Sequence, residues 1–152
     1  MNLFLNPSLE QWADGGAPNT EPDDWINCGG LGLEAVPDAC PSAVPETAAD
    51  GARYGRGYGF EGIGQVVETT PGQTYLVSLS YTEVVMCYGG ATSSAWDVRL
   101  DEEVLLTTAA DVGTDTWAVE TVEFTATAAS HEICFRKAGG AGGIDALSIV
   151  AQ

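Results

Sequence analysis

Positive charge is scarce in this chain. Five Lys and Arg face 22 Asp and Glu over 152 residues, a formal net charge of -17. So acidic a surface repels phosphate backbones and anionic headgroups, which disfavours nucleic acid and membrane as partners. Histidine is scarcer still. His131 stands alone, so a Ser-His-Asp or Cys-His arrangement has one place to form. There it opens a strand beside Glu132, where an exposed strand-end imidazole is expected rather than a catalytic base. No apolar run approaches the ~18 residues that span a bilayer. Met1 to Asn6 has no basic segment and too short an apolar stretch for a secretory signal. The expectation is therefore either a leader already removed or release by another route, as for virion proteins. No CxxC occurs among the four cysteines, so zinc is not expected. Helical periodicity is nearly absent, because no window holds apolar residues at i, i+3, i+4 and i+7 without Gly, Pro or β-branched clusters.

What recurs is the strand pattern. Tyr75, Val77, Leu79 and Tyr81 alternate with Thr74, Leu76, Ser78 and Ser80 after the turn pair Pro71-Gly72. Trp96, Val98 and Leu100 alternate with Asp97, Arg99 and Asp101. Asp101-Glu102-Glu103 then reads as a hairpin tip before Val104-Leu105-Leu106. Trp117 to Thr127 reads as a long strand whose apolar phase slips between Val119 and Val122, predicting a bulge near Glu120 and Thr121. Glu132 to Arg136 and Ile144 to Val150 close the set; Leu3 to Leu5, Trp25 to Cys28 and Ile63 to Glu68 supply the first half. Gly29 to Asp50 reads as a long loop, and Gly51 to Gly64 as a glycine-rich segment interrupted by Tyr54, Tyr58 and Phe60. Short strands at this spacing predict one all-β domain over residues 1–152. Cys28 and Cys40 enclose a loop of eleven residues that a disulfide would close. Cys87 and Cys134 are then the complementary pair, although strict alternation sets them on opposing faces; four free buried thiols are the alternative.

The order of motifs resembles the galactose-binding-like jelly rolls, which include many carbohydrate-binding modules with an N-terminal N-x-S-F-E motif. The matching pieces are Asn6-Pro7-Ser8-Leu9-Glu10, Pro22-Asp23-Asp24-Trp25, Asp50-Gly51-Ala52-Arg53-Tyr54, Ile63-Gly64-Gln65-Val66-Val67, Pro71-Gly72-Gln73-Thr74-Tyr75, Val98-Arg99-Leu100-Asp101, Trp117, Phe124-Thr125-Ala126-Thr127 and Ile144-Asp145-Ala146-Leu147-Ser148-Ile149. Leu9 stands where the pattern has Phe, and Ala146 where it has Asn. The resemblance implies an antiparallel two-sheet jelly-roll β-sandwich. It also implies a structural calcium ion held by Glu10 and Asp145, with Asn6 as a further ligand or a turn former. Asp23-Asp24 and the acids of the hairpin tip lack the spacing of a calcium-binding helical loop.

Sugars are held by planar rings stacked on pyranose faces, with amides and acids on their hydroxyls. Trp25, Trp117 and Tyr75 match core positions of the resembling family. Tyr54, Tyr58, Phe60, Tyr88 and Trp96 are therefore the candidate ligand-binding aromatics, joined by Arg56 from the same glycine-rich segment. The reading is a non-catalytic binding module for a glycan or a surface, extracellular or on a virion. The alternative is a structural or decoration protein that uses the sandwich for protein–protein attachment, on a capsid or a cell surface. An enzyme comes third, since no acid sits in a catalytic motif.

Overall fold

Short alternating runs broken by Gly, Pro and Asp can bury their apolar side chains only as strands. In the computed structural model of residues 1–152 no helix forms. Ten strands do: β1 (Ile26–Asn27), β2 (Glu34–Val36), β3 (Tyr54–Tyr58), β4 (Gly62–Glu68), β5 (Thr74–Glu83), β6 (Trp96–Leu100), β7 (Glu103–Thr107), β8 (Ala118–Thr125), β9 (Ser130–Lys137) and β10 (Ala141–Ala151). They build two antiparallel five-stranded sheets, in the orders β1-β4-β9-β6-β7 and β2-β3-β10-β5-β8. The expected two-sheet jelly-roll sandwich is what the chain forms.

Inward side chains of both sheets share one core. Ile63 and Val67 of β4, Val98 of β6, and Ile133 and Phe135 of β9 meet Val77 and Leu79 of β5 and Ile144 and Ile149 of β10. Each such side chain, withdrawn from water, contributes roughly 1.5–3 kcal/mol before chain entropy is counted. The loop before β1 closes one end. Leu9 is fully buried, Phe4 packs on Trp25, and the Trp25 indole donates to Asn6 O at 3.1 Å. The β6–β7 turn places Asp101 and Glu102 at φ of 48° and 75°, the left-handed pair that a two-residue hairpin loop needs.

Several elements depart from the sequence reading. Leu3–Leu5 makes no strand. One backbone bond, Leu3 N to Ile149 O, is flanked by the Asn2 side chain, which donates to Leu147 O and accepts from Ile149 N, while Leu5 N donates to Gln65 Oε1. The bulge expected near Glu120 is absent, because β8 pairs with β5 in unbroken register from Ala118 to Thr125. Glu120 simply faces inward and accepts a 2.9 Å bond from the Tyr81 hydroxyl, while Val119 faces solvent. The irregularity lies in β10 instead, where the register shifts between Asp145 and Ser148 and Ala146 adopts φ +48°. The supposed loop over 29–50 holds β2, and the glycine-rich segment holds β3, paired with β2 on one side and β10 on the other.

The cysteines pair across both proposed partners. Cys28 bonds Cys134 and Cys40 bonds Cys87. Cys28 follows β1 in the first sheet, whereas Cys40 follows β2 in the second, so a Cys28–Cys40 bridge would have to cross between sheets. The parity argument for Cys87 also fails, since β5 ends at Glu83 and alternation does not reach it.

Candidate functional site

Strand β3, Tyr54-Gly55-Arg56-Gly57-Tyr58, explains how a site is built here. Its glycines face the core. A Cβ at Gly57 would lie 2.8 Å from Trp96 Cη2, and one at Gly55 would lie 2.8 Å from Leu33 Cδ1. The large residues between them all point to the other face. Tyr54 is fully buried there under the 40–48 loop, its hydroxyl donating to Pro45 O at 2.7 Å and its ring edge-on to Trp117. Arg56 is buried one step further on, and Tyr58 reaches the rim with 42% of its surface exposed.

At this rim opens a cleft of about 420 Å³. Glu34, Arg56, Tyr58, Glu61, Tyr88 and Asn19 line it. Glu34 and Arg56 are register partners on β2 and β3. Their side chains make a buried ion pair, Arg56 Nη1 to Glu34 Oε1 at 2.6 Å. The Tyr88 ring lies over the guanidinium, 5.3 Å from centroid to Cζ, and its hydroxyl donates to Glu34 Oε2 at 3.3 Å. Arg56 Nε is buried without a partner. Glu61 is half-buried and makes no ion pair; burial pushes its carboxyl above the usual range and the Glu34 charge adds to that. Tyr88 follows directly on Cys87, so the Cys40–Cys87 bond anchors the loop that carries it to the loop after β2.

The structure thus brings Arg56, Tyr58 and Tyr88 to one cleft and sends the other candidate aromatics elsewhere. Trp96 is fully buried, its indole donating to Gly143 O, because β6 turns it toward Gly57. Tyr54 is likewise enclosed. Phe60 is exposed but sits off the cleft, under the Arg136 guanidinium at 5.5 Å. Glu34 and Glu61 are not among the residues that the sequence nominates. Leu33-Glu34-Ala35-Val36 carries a strand signal, but it is too short to stand out between two loops.

The candidate calcium ligands occupy another region. Glu10 Oε1 accepts from Ala52 N and Arg53 N at 2.9 and 2.8 Å, and Asp145 Oδ2 accepts from Asp50 N at 2.9 Å. Both carboxylates therefore grip the 50–53 loop. Asp145 is fully buried, and that burial pushes its carboxyl up to about 7. Asn6 has its amide committed, donating to Gln11 O and Asp23 O and accepting from Glu10 N, which is turn-forming work. No cluster of three or more His, Cys, Asp or Glu side chains has metal-holding geometry. A cation here would take most of its oxygens from backbone carbonyls and water, as calcium tolerates.

His131 is not the exposed strand-end residue expected. It is buried, its Nε2 accepting from Thr127 N and Ala128 N and its Nδ1–H donating to Asp101. Both ring nitrogens are spent on holding the β8–β9 connection to the hairpin tip, far in role from general base.

No protein-family model and no curated protein matches this sequence. Solved structures match it by fold. A cyclase from Fischerella sp. TAU superposes on 100% of this chain and 97% of its own, with a TM-score of 0.74 and 15% identity. TmCBM61 in complex with beta-1,4-galactotriose covers 100% of this chain and 99% of its own, at a TM-score of 0.62 and 16% identity. The CBM22-1 xylan-binding domain of Paenibacillus barcinonensis Xyn10C covers 90% and 89%, at 0.57 and 13%. At such identities what is shared is the fold. The chain is an antiparallel β-sandwich of the kind found in carbohydrate-binding modules.

Proposed function

We propose that this protein is a non-catalytic, extracellular glycan-binding module whose binding site is the Tyr58–Tyr88 cleft. One observation carries the reading. Two exposed tyrosine rings flank a buried, pre-formed Arg56–Glu34 pair, and this combination presents ring faces for pyranose C–H groups with fixed donors and acceptors for hydroxyls. The sandwich shared with TmCBM61, seen with galactotriose, and with a xylan-binding domain supports it. Two disulfides suit an oxidising compartment. Attachment to a capsid or cell-surface protein is the alternative reading.

A glycan array followed by titration calorimetry tests the reading. Tyr58→Ala and Tyr88→Ala should each weaken the best ligand by roughly tenfold or more, at about 1–3 kcal/mol per stacking ring. Tyr58→Ala should barely move the melting temperature, whereas Tyr88→Ala also strips a ring and a hydroxyl from the buried Arg56–Glu34 pair and should lower it. Full binding in the double variant would move the site away from this cleft. A second reading rests on Glu61, a raised carboxyl in a cleft of a fold shared with a cyclase. Mass spectrometry of the ligand after incubation separates the two, because a product that vanishes in Glu61→Gln would mean catalysis.

A structural calcium ion at Glu10 and Asp145 belongs to the same proposal. Its support is a fully buried carboxylate, Asp145, with no cationic partner, which holds the same 50–53 loop that a second carboxylate, Glu10, also holds. A ligand bound only by the folded state at a hundred times its Kd adds about 2.7 kcal/mol. For a chain of this size that raises the melting temperature by roughly 5–10 °C. Glu10→Gln or Asp145→Asn should abolish the increment. A melting curve indifferent to both EDTA and calcium would remove the ion from the picture.

A further inference from the structure

We propose that the cleft selects glycans bearing protonated amines, such as a chain of deacetylated glucosamine, over neutral and uronic-acid glycans. This rests on the glycan-binding reading and specifies its ligand. The charge at the site is the starting point. Two carboxylates, Glu34 and Glu61, face one cation, Arg56, and that cation is already paired at 2.6 Å. Glu61 therefore stands half-buried without an ion pair of its own, sharing the field of an Arg56 already paired to Glu34. An ammonium group on the ligand supplies that pair, and a uronate would instead bring a third carboxylate beside two.

Hydrogen-bonding capacity points the same way. Glu34 Oε2 is held only by the 3.3 Å bond from Tyr88, and the Glu61 carboxyl has the Tyr58 backbone N–H but no side-chain donor. The acceptors outnumber the single orphan donor, Arg56 Nε. A ligand rich in N–H and O–H donors satisfies this set, whereas Arg56 Nε lies buried behind it. The exposed Tyr58 and Tyr88 rings add faces that attract cations as well as pyranose C–H groups. Beyond the cleft, the net charge of -17 draws in a cationic polymer and repels an anionic one.

The test compares four tetrasaccharides by calorimetry at a pH where the amines are protonated: glucosamine, N-acetylglucosamine, cellotetraose and galacturonate. The glucosamine tetramer should bind at least about tenfold tighter than the two neutral ones, a step of roughly 1.4 kcal/mol. The galacturonate should not bind. In Glu61→Gln the ratio of glucosamine to neutral affinities should fall to within about twofold, whatever that variant does to the affinity for neutral ligands. This variant removes one charge of many, so attraction by the whole surface would survive it. A preference that persists in Glu61→Gln and disappears in high salt therefore overturns selection by the cleft. Equal binding of neutral tetramers that is lost in Tyr58→Ala overturns amine selection and leaves the glycan-binding reading standing. Absence of binding by all four, together with a blank array, overturns both.

Discussion

Arg56→Met should cost the fold about 3–5 kcal/mol, the loss expected when one member of a buried ion pair is removed. Arg56 is 5% exposed and Glu34 3%. Without the guanidinium, Glu34 is left as a buried carboxylate, with Glu61 as a second acid nearby and only the Tyr88 hydroxyl to satisfy it. Glu34→Gln should be costly for the mirrored reason, because Arg56 would then hold an uncompensated charge. The two losses should not add. In Glu34→Gln/Arg56→Met no buried charge remains, and stability should return to within about 1–2 kcal/mol of the parent. Urea denaturation of the four proteins at neutral pH reads this directly. If Arg56→Met alone changes stability by less than about 1 kcal/mol, the pair is not the buried clamp described. A Tyr58/Arg56 double alanine variant is therefore a poor probe of binding. The sequence puts the two residues in one glycine-rich aromatic segment, yet only Tyr58 can be removed without touching the fold.

That misplacement shows where sequence reasoning stops. Strands with strict alternation and one buried face, such as β5 and β6, are legible because the apolar period itself reports the face. β3 is illegible for the opposite reason. Its core-facing positions are Gly55 and Gly57, chosen for the room Trp96 and Leu33 need, so the apolar period is missing and the polar-looking face carries Tyr54, Arg56 and Tyr58. Burial of Tyr54 and Trp96 depends on what crosses over them, the 40–48 loop and β3, and neither contact has any local trace. The same holds for the site. Arg56, Tyr58 and Tyr88 could be nominated by residue type, but Glu34 belongs to a three-residue strand whose importance comes only from its register with β3. The disulfides fail to be read for a related reason, since loop length says nothing about which sheet a cysteine joins.

The second large effect is on pH dependence, and Lys137 carries it. Its side chain is fully buried, with Nζ donating to Ala95 O at 2.7 Å and Gly139 O at 2.8 Å and lying 5.5 Å from the Trp96 ring. No acid pairs with it. Burial pulls its pKa from 10.5 down to about 7, against a weaker upward pull from Glu83 and Asp97. A neutral amine keeps two N–H donors, so both carbonyl bonds survive loss of the proton. The sign follows from proton uptake. Between about 7 and 10.5 the unfolded chain holds a proton that the folded one has released, so stability rises with pH across that window. Below about 7 both states are charged, and the stabilisation is gone. At 1.36 kcal/mol per unit the full swing is on the order of 4–5 kcal/mol. Carboxylate repulsion on so acidic a surface also changes with pH, so the comparison must be with Lys137→Met, which fills the same space without a titrating group. Ala95 O keeps its bond from Ala138 N in that variant. Guanidinium denaturation should find Lys137→Met gaining on the parent at pH 6 and losing that advantage by pH 10, with a change of several kcal/mol in the difference. A difference that stays flat from pH 6 to pH 10 would mean that Lys137 keeps its proton in the core.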